Sequence, residues 1–128
     1  MSNIKDGYLY TKDHEWINID GEEAYVGITD YAQSELGEIV FVDVPTVGEE
    51  LDQFETFGSL EAVKTVADLN IPMTGEVIEI NERLDSEPEL VNNEPYDGGW
   101  IIRMNVANMD ETKNLMSADE YKAYLETL

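Results

Sequence analysis

Apolar and polar residues alternate along two segments near the start of the chain, on either side of the dipeptide Asp20-Gly21, which is typical of a turn. The apolar positions are Trp16 or Ile17 and Ile19, then Ala24, Val26 and Ile28. An apolar residue at every second position is typical of a strand with one buried face, and Asp-Gly favours a two-residue hairpin turn. The pattern therefore predicts an antiparallel hairpin over residues 15–28.

Four more short runs have the composition of β-strands. Prolines and glycines, which interrupt regular structure, separate these runs from one another. The strands are predicted at Glu38–Val44, Thr56–Leu60, Val77–Asn81 and Trp100–Asn105.

Two short helical segments interrupt the strands. The first, "TDYAQSELG", begins with the capping candidates Thr29 and Asp30 and stops at Gly37. The second, "SEPELVN", predicts a single helical turn with Ser86 as its cap and Pro88 near its start.

A longer helix is predicted at the C-terminal end, in "SADEYKAYLETL". It opens with a capping box, in which Ser117 is followed three residues later by Glu120. The helix should pack on a sheet, because four apolar or aromatic residues share one face. These are Tyr121, Tyr124, Leu125 and Leu128.

The segment "GSLEAVKTVADL" carries Lys64, the only lysine between Lys12 and Lys113. Its apolar spacing suits a helix, but Val63, Thr65 and Val66 are β-branched and therefore favour a strand. We predict a hairpin with Lys64 at or near its tip, which would expose the primary amine on a rigid support.

Composition limits the classes of function. A chain of 128 residues with 42% apolar residues fits one domain over residues 1–128. The net charge of −22 is spread along the chain, which argues against nucleic acid and anionic membranes as partners. Partners with basic faces and cationic small groups are favoured, although adaptation to salt would give the same composition.

The chain has no cysteine and one histidine, His14. Thiolate and multi-histidine metal sites are thereby excluded, and we expect no metal site. His14 is interpreted as a surface residue beside the first strand. No apolar run has the length of a signal peptide or a membrane span, so a cytoplasmic protein is expected.

Lys64 has two interpretations. The first is a solvated lysine on a hairpin. The second is a modification site, because a lysine held out on a β-turn can enter the active site of an enzyme that acylates it. Glu61 and Asp68 flank it.

With these residues in view, the sequence resembles the H protein of the glycine cleavage system over nearly its whole length. The similar blocks, which come in the family's order, are "HEW" (14–16), "VGITDYAQSELGEIVFVDVPTVG" (26–48), "SLEAVKTVADL" (59–69), "IPMTGEV" (71–77), "ELVNNEPYDGGWI" (89–101) and "LMSADEY" (115–121). Departures from the family pattern occur at Glu35, Ala62 and Thr65.

The resemblance implies a mostly β fold, namely a flattened β-sandwich or barrel of the lipoyl-carrier (hybrid motif) type with short helices and a C-terminal helix. It implies a carrier rather than an enzyme, with lipoic acid attached covalently to Lys64. The implied partners are the pyridoxal-phosphate glycine decarboxylase, the aminomethyltransferase, the dihydrolipoyl dehydrogenase and a lipoylating enzyme. The carrier is expected to be a monomer.

The resemblance also assigns three further residues. Glu61 would contribute to recognition by the lipoylating enzyme. Glu15 and Asp68 would line a cleft that protects the lipoyl arm of Lys64 when the arm carries an aminomethyl group. Both of these acids have the alternative interpretation of solvated residues at a strand edge.

Alternative functions stay open at this point. A biotinyl carrier is disfavoured because Val63 and Thr65, rather than methionines, flank Lys64. A lipoyl domain of a 2-oxoacid dehydrogenase is disfavoured by the absence of a flexible linker and by the capped C-terminal helix. The sequence does not separate glycine cleavage from an H-like protein that relays lipoyl groups to other carriers. A non-carrier acidic β-sandwich that binds a basic partner is the alternative from a different class.

Overall fold

The computed structural model describes residues 3–128 and shows a mostly β protein with two antiparallel sheets and a few short helices. This fold class confirms the prediction. The strands are β1 (Leu9–Tyr10), β2 (Glu15–Asp20), β3 (Glu23–Ile28), β4 (Ile39–Asp43), β5 (Glu50–Leu51), β6 (Thr56–Ala62), β7 (Val66–Asn70), β8 (Gly75–Ile80) and β9 (Ile102–Val106). The helices are α1 (Asp30–Leu36), α2 (Arg83–Ser86), α3 (Leu90–Asn93), a 3₁₀ helix (Met109–Asn114) and α4 (Ala118–Leu125).

The nine strands of residues 3–128 form a six-stranded sheet, in the order β1-β2-β3-β9-β8-β5, and a three-stranded sheet, in the order β4-β6-β7. The predicted first hairpin is present as β2 and β3. Its turn lies one residue later than the predicted Asp20-Gly21, because Asp20 is opposite Glu23 and the two turn residues are Gly21 and Glu22. Gly21 in that turn has a φ of 68°, a conformation that glycine adopts without steric cost.

One apolar core joins the two sheets. Ile17 and Val26 reach it from the six-stranded sheet, and Leu60 and Leu69 reach it from the three-stranded sheet. All four side chains are at most 2% exposed. Because the sheets share these contacts, burial of apolar surface holds the strands of both in fixed positions.

A second cluster is aromatic and attaches α4 to the six-stranded sheet. Tyr121 of α4 stacks on Tyr10 of β1 with ring centroids 4.6 Å apart, and both residues are fully buried. The predicted capping box between Ser117 and Glu120 is present. The prediction that Leu128 shares the packed face is wrong, because α4 ends at Leu125 and Leu128 is 62% exposed.

The prediction for "SEPELVN" is wrong in its boundaries. Ser86 is the last residue of α2 rather than a cap, and α3 begins at Leu90 after its N-cap Glu89. The cause is Pro88, which disfavours helical backbone at the preceding residue. Glu87 accordingly leaves the helix with φ −131° and ψ 59°. The sequence analysis also missed β1, β5 and the 3₁₀ helix.

Candidate functional site

Lys64 lies at the tip of the hairpin formed by β6 and β7, as predicted. Glu61 is paired with Val66, and the backbone N–H of Ala62 donates to the carbonyl of Thr65 at 2.8 Å. Val63 and Lys64 therefore occupy the turn, and both side chains are exposed. The amine is presented to solvent by two strands that are anchored in the core.

The hairpin tip rests against the end of α1. The backbone N–H of Val63 donates to the carbonyl of Glu38 at 3.1 Å. The Lys64 stem lies over Gly37, where a Cβ would come 3.4 Å from Lys64 Cε. Within residues 3–128 the Lys64 amine forms no ion pair with a carboxylate, so it is accessible for acylation.

Glu61 lies on the solvent face of the three-stranded sheet. It is directly opposite Phe41 of β4 on one side and Val66 of β7 on the other, and all three side chains are exposed. Glu61 makes no ion pair within the described part of the chain. This acid, three residues before Lys64, is available to an approaching protein.

Glu15 is buried, with only 2% of its surface exposed. Its Oε1 accepts a hydrogen bond from the Thr11 hydroxyl at 2.6 Å, and its Oε2 accepts one from the backbone N–H of Asn70 at 3.2 Å. Burial raises the pKa of Glu15 from 4.5 to about 7, although both hydrogen bonds oppose the rise. The interpretation of Glu15 as a solvated acid is therefore wrong.

Asp68 is exposed and lies two residues before Asn70 on β7. The hydrogen bond from Asn70 therefore brings the Glu15 carboxyl to the strand that carries Asp68. The Asn70 side chain also donates to the Asp13 carboxylate at 3.2 Å. The structure thus brings Glu15 and Asp68 into one region and adds Asp13, which the sequence analysis did not select.

A cleft of about 310 Å³ lies between α1 and β7. Its apolar lining comes from Ala32, Leu36 and Ala67, and its acidic lining comes from Asp13 and Glu35. Leu36 directly precedes Gly37, over which Lys64 lies, and Ala67 directly precedes Asp68. The cleft therefore ends close to Gly37, where Cε and Nζ of Lys64 lie, and it has both apolar and acidic walls. His14 and Tyr31 complete its lining. Glu15 and Asp68, the two acids predicted to line a cleft for the arm, are not among its lining residues.

His14 is half-buried at this cleft rather than a simple surface residue, which corrects the prediction. Its Nδ1 lies 2.9 Å from the hydroxyl of Tyr121, which lies 2.7 Å from the hydroxyl of Thr29. Thr29 in turn caps α1 by accepting from the N–H of Ala32 at 3.2 Å. Burial lowers the pKa of His14, so the imidazole is neutral at neutral pH.

The sequence offered little to identify Asp13, His14 and Glu35 as cleft residues. Glu35 was noted only as a departure from a family pattern, and its place in the cleft depends on how α1 packs against β7. No group of His, Cys, Asp and Glu in residues 3–128 is arranged to hold a metal ion. Over the same residues, none of the helices has the length and apolar character needed to cross a membrane.

Comparison with known proteins shows which family this chain is similar to. Residues 8–128 match the sequence model of the family described as glycine cleavage H-protein. The glycine cleavage system H protein of Bacteroides thetaiotaomicron is 54% identical over 121 residues, which are 94% of this chain and 96% of that protein. The H protein of Halothermothrix orenii is 52% identical over 124 residues, which are 97% of each chain.

A solved structure has the same fold. The crystal structure of a glycine cleavage system H protein from Mycobacterium marinum superposes with a TM-score of 0.83. It is 35% identical in sequence, and the match covers 96% of this chain and 99% of that one.

Proposed function

The chain belongs to the glycine cleavage H-protein family, and we propose that it serves as the lipoylated carrier of the glycine cleavage system, with lipoic acid attached to Lys64. The family is a lipoyl carrier rather than a catalytic enzyme. The observation that carries the proposal is the position of Lys64, exposed at the tip of a hairpin that is rooted in the core.

The hairpin tip fits attachment of a lipoyl group. Acylation replaces the charged amine of Lys64 by a neutral amide, and no ion pair in the described residues would be lost. Lysine and lipoate together supply about ten single bonds, which reach on the order of 14 Å from the backbone. When bound, lipoate supplies a disulfide that can accept an aminomethyl group and two electrons.

Glu61 would serve recognition by the lipoylating enzyme. It lies on the same hairpin, is exposed, and has Phe41 and Val66 beside it on the sheet surface. A basic residue of the lipoylating enzyme could pair with Glu61 while its apolar residues cover Phe41. Glu61 contributes little to stability at such an exposed position, so recognition explains it better than folding.

The cleft beside Lys64 would protect the loaded arm. An aminomethyl group is cationic at neutral pH, and carboxylates stabilise a cation through charge-assisted hydrogen bonds. Asp13 and Glu35, which line the cleft, would supply these contacts together with Asp68, which follows the lining residue Ala67, and the buried Glu15. Ala32, Leu36 and Ala67 would exclude water. A cation beside Glu15 would favour its ionised form and so lower its pKa again.

Three partner enzymes would use the same arm. They are the pyridoxal-phosphate glycine decarboxylase, which loads it, the aminomethyltransferase, which unloads it, and the dihydrolipoyl dehydrogenase, which reoxidises it. A cytoplasmic location, a monomeric state and a single domain over residues 1–128 stay predictions, and residues 1 and 2 lie outside the described part of the chain.

The test is exchange of labelled bicarbonate into glycine by glycine decarboxylase in the presence of the lipoylated protein. We expect exchange with the parent protein and none with Lys64→Arg, while Lys113→Arg, at another exposed lysine, should match the parent. A lipoylated protein that fails to support exchange but donates its lipoyl group to other carriers would be a relay protein. A protein that is never lipoylated would be an interaction module.

A further inference from the structure

A pocket lined by aromatic rings lies on the six-stranded sheet, whereas Lys64 belongs to the three-stranded sheet. Its volume is about 160 Å³. We call it the aromatic pocket, and its lining consists of Tyr8, Trp16, Asn18, Tyr25, Tyr96, Asp97 and Trp100. Both tryptophans of the chain line it. The cleft proposed for the arm shares none of these residues.

The rings are held in fixed positions. Trp16 is 1% exposed, and its indole N–H donates to the carbonyl of Pro95 at 2.9 Å. Gly27, opposite Trp16 in the neighbouring strand, makes room for the indole, because a Cβ there would come 2.7 Å from the ring. Tyr8 lies against Trp16 with centroids 4.9 Å apart. The pocket is therefore preformed in the folded protein.

The outer wall of the pocket is accessible to solvent. Tyr25 is 38% exposed and meets the ring of Trp100 edge-on, with centroids 5.0 Å apart. Arg103, opposite Tyr25 on β9, does not fill the pocket, because it is bonded to Glu79 at 2.8 Å and Glu23 at 2.9 Å. The exposed part of the Tyr25 ring and the half-buried Trp100 thus stay open to a ligand.

The amine of Lys5, in the same chain, already lies beside this pocket. The amine of Lys5 lies 3.4 Å from the Asp97 carboxylate and 5.7 Å from the centroid of the Tyr8 ring. A cation over an aromatic ring within about 6 Å is attracted by the ring quadrupole. Both partners of Lys5 are solvent-accessible, with the Asp97 side chain 70% exposed, so the contact is weak and replaceable.

We infer that the aromatic pocket binds an arginine side chain of a partner protein. A guanidinium group is planar and weakly hydrated, so it can stack on the rings while its N–H groups donate to the Asp97 carboxylate. The net charge of −22 attracts basic partners, and the pocket would bind one particular arginine of such a partner. An arginine that enters the pocket displaces Lys5 from Asp97.

The experiment uses the two indole N–H signals of the ¹⁵N-labelled full-length protein as reporters, since Trp16 and Trp100 both line the pocket. N-acetyl-arginine amide should shift both signals saturably, with a dissociation constant in the millimolar range. The neutral analogue N-acetyl-citrulline amide, which has nearly the same shape, should bind at least about tenfold more weakly, because the attraction to ring faces and to Asp97 requires charge.

Three variants test which residues are responsible. Asp97→Asn should weaken binding of N-acetyl-arginine amide about threefold, as expected for an exposed ion pair. Lys5→Gln should strengthen it by a similar factor, because the competing cation is removed. Tyr25→Thr should weaken it at least about threefold, whereas Phe41→Thr, an exposed aromatic residue on the other sheet, should leave it unchanged.

The proposal is wrong if N-acetyl-citrulline amide binds as well as N-acetyl-arginine amide, since the pocket would then recognise shape without charge. It is also wrong if Lys5→Gln abolishes binding, or if Tyr25→Thr and Phe41→Thr have equal effects. None of these outcomes depends on lipoylation of Lys64 or on glycine cleavage.

Discussion

Replacement of Glu15 by glutamine should change how the stability of the protein depends on pH. In the folded protein burial raises the Glu15 pKa from 4.5 to about 7. Glu15 therefore binds a proton more tightly in the folded state than in the unfolded state. Its contribution to stability is fully present below about pH 4.5 and is lost as the pH rises through about 7.

The magnitude follows from the two pKa values. At about 1.36 kcal/mol per pKa unit, the full contribution is about 3 kcal/mol. About 2 kcal/mol of it should still be present at about pH 5.5, and almost none at about pH 8. Because Glu15 is 2% exposed, solvent screening reduces this figure little. Glutamine resembles the protonated acid, since its carbonyl can accept from the Asn70 N–H and its amide can donate to Thr11 Oγ1 once the Thr11 hydroxyl hydrogen has turned away.

The assay is urea unfolding of the unlipoylated protein at about pH 5.5 and about pH 8. The parent protein should lose about 2 kcal/mol more than Glu15→Gln over this interval. The two proteins are compared with each other so that any pH dependence they share cancels. Glu61→Gln, which removes an exposed acid, should behave as the parent protein does. Equal losses in the parent and in Glu15→Gln would refute the perturbed pKa and with it the buried position of this carboxyl.

Three further outcomes are expected. Glu61→Ala should leave the free energy of unfolding within about 0.5 kcal/mol of the parent value and should slow lipoylation about tenfold. A large loss of stability with normal lipoylation would show that Glu61 has a structural role instead. Asp68→Asn and Glu15→Gln should each speed hydrolysis of the aminomethyl-loaded arm, measured without aminomethyltransferase. The rate should rise about tenfold for each 1.4 kcal/mol of lost pairing energy between carboxylate and aminomethyl cation. Parent-like lifetimes of the loaded arm in both variants would contradict charge pairing by these two acids. Tyr121→Phe should lower the free energy of unfolding, measured with a chemical denaturant, by about 1–3 kcal/mol because it removes the hydrogen-bond partner of His14 and Thr29. An unchanged free energy of unfolding would mean that the Tyr121 contact with His14 is not stabilising.

The sequence predicted the features that depend on neighbouring residues. Gly21 located the turn of the first hairpin to within one residue, and the capping box of Ser117 and Glu120 located the start of α4, because turn and cap chemistry act over two to four residues. The hairpin that carries Lys64 was also predictable, since its β-branched residues favour strands.

Features that depend on distant contacts were not predictable. Glu15 is buried and accepts a hydrogen bond from Asn70, which is 55 residues away, and nothing in the local sequence indicates this contact. The aromatic pocket joins Tyr8, Trp16 and Trp100, which come together only when the six-stranded sheet and the loop before β9 have formed. Spacing along the chain carries no information on such a pocket, because its residues belong to separate elements.

The most direct test of the central claim is the intact mass of the protein after incubation with lipoate, ATP and a lipoate–protein ligase. The parent protein should gain the mass of one lipoyl group, and fragmentation should place it on Lys64. Lys64→Arg should gain none, whereas Lys113→Arg should be modified as the parent is. A lipoyl group that remains on Lys64→Arg, or a parent protein that stays unmodified while a known lipoyl domain in the same reaction is acylated, would contradict the assignment of Lys64 as the attachment site.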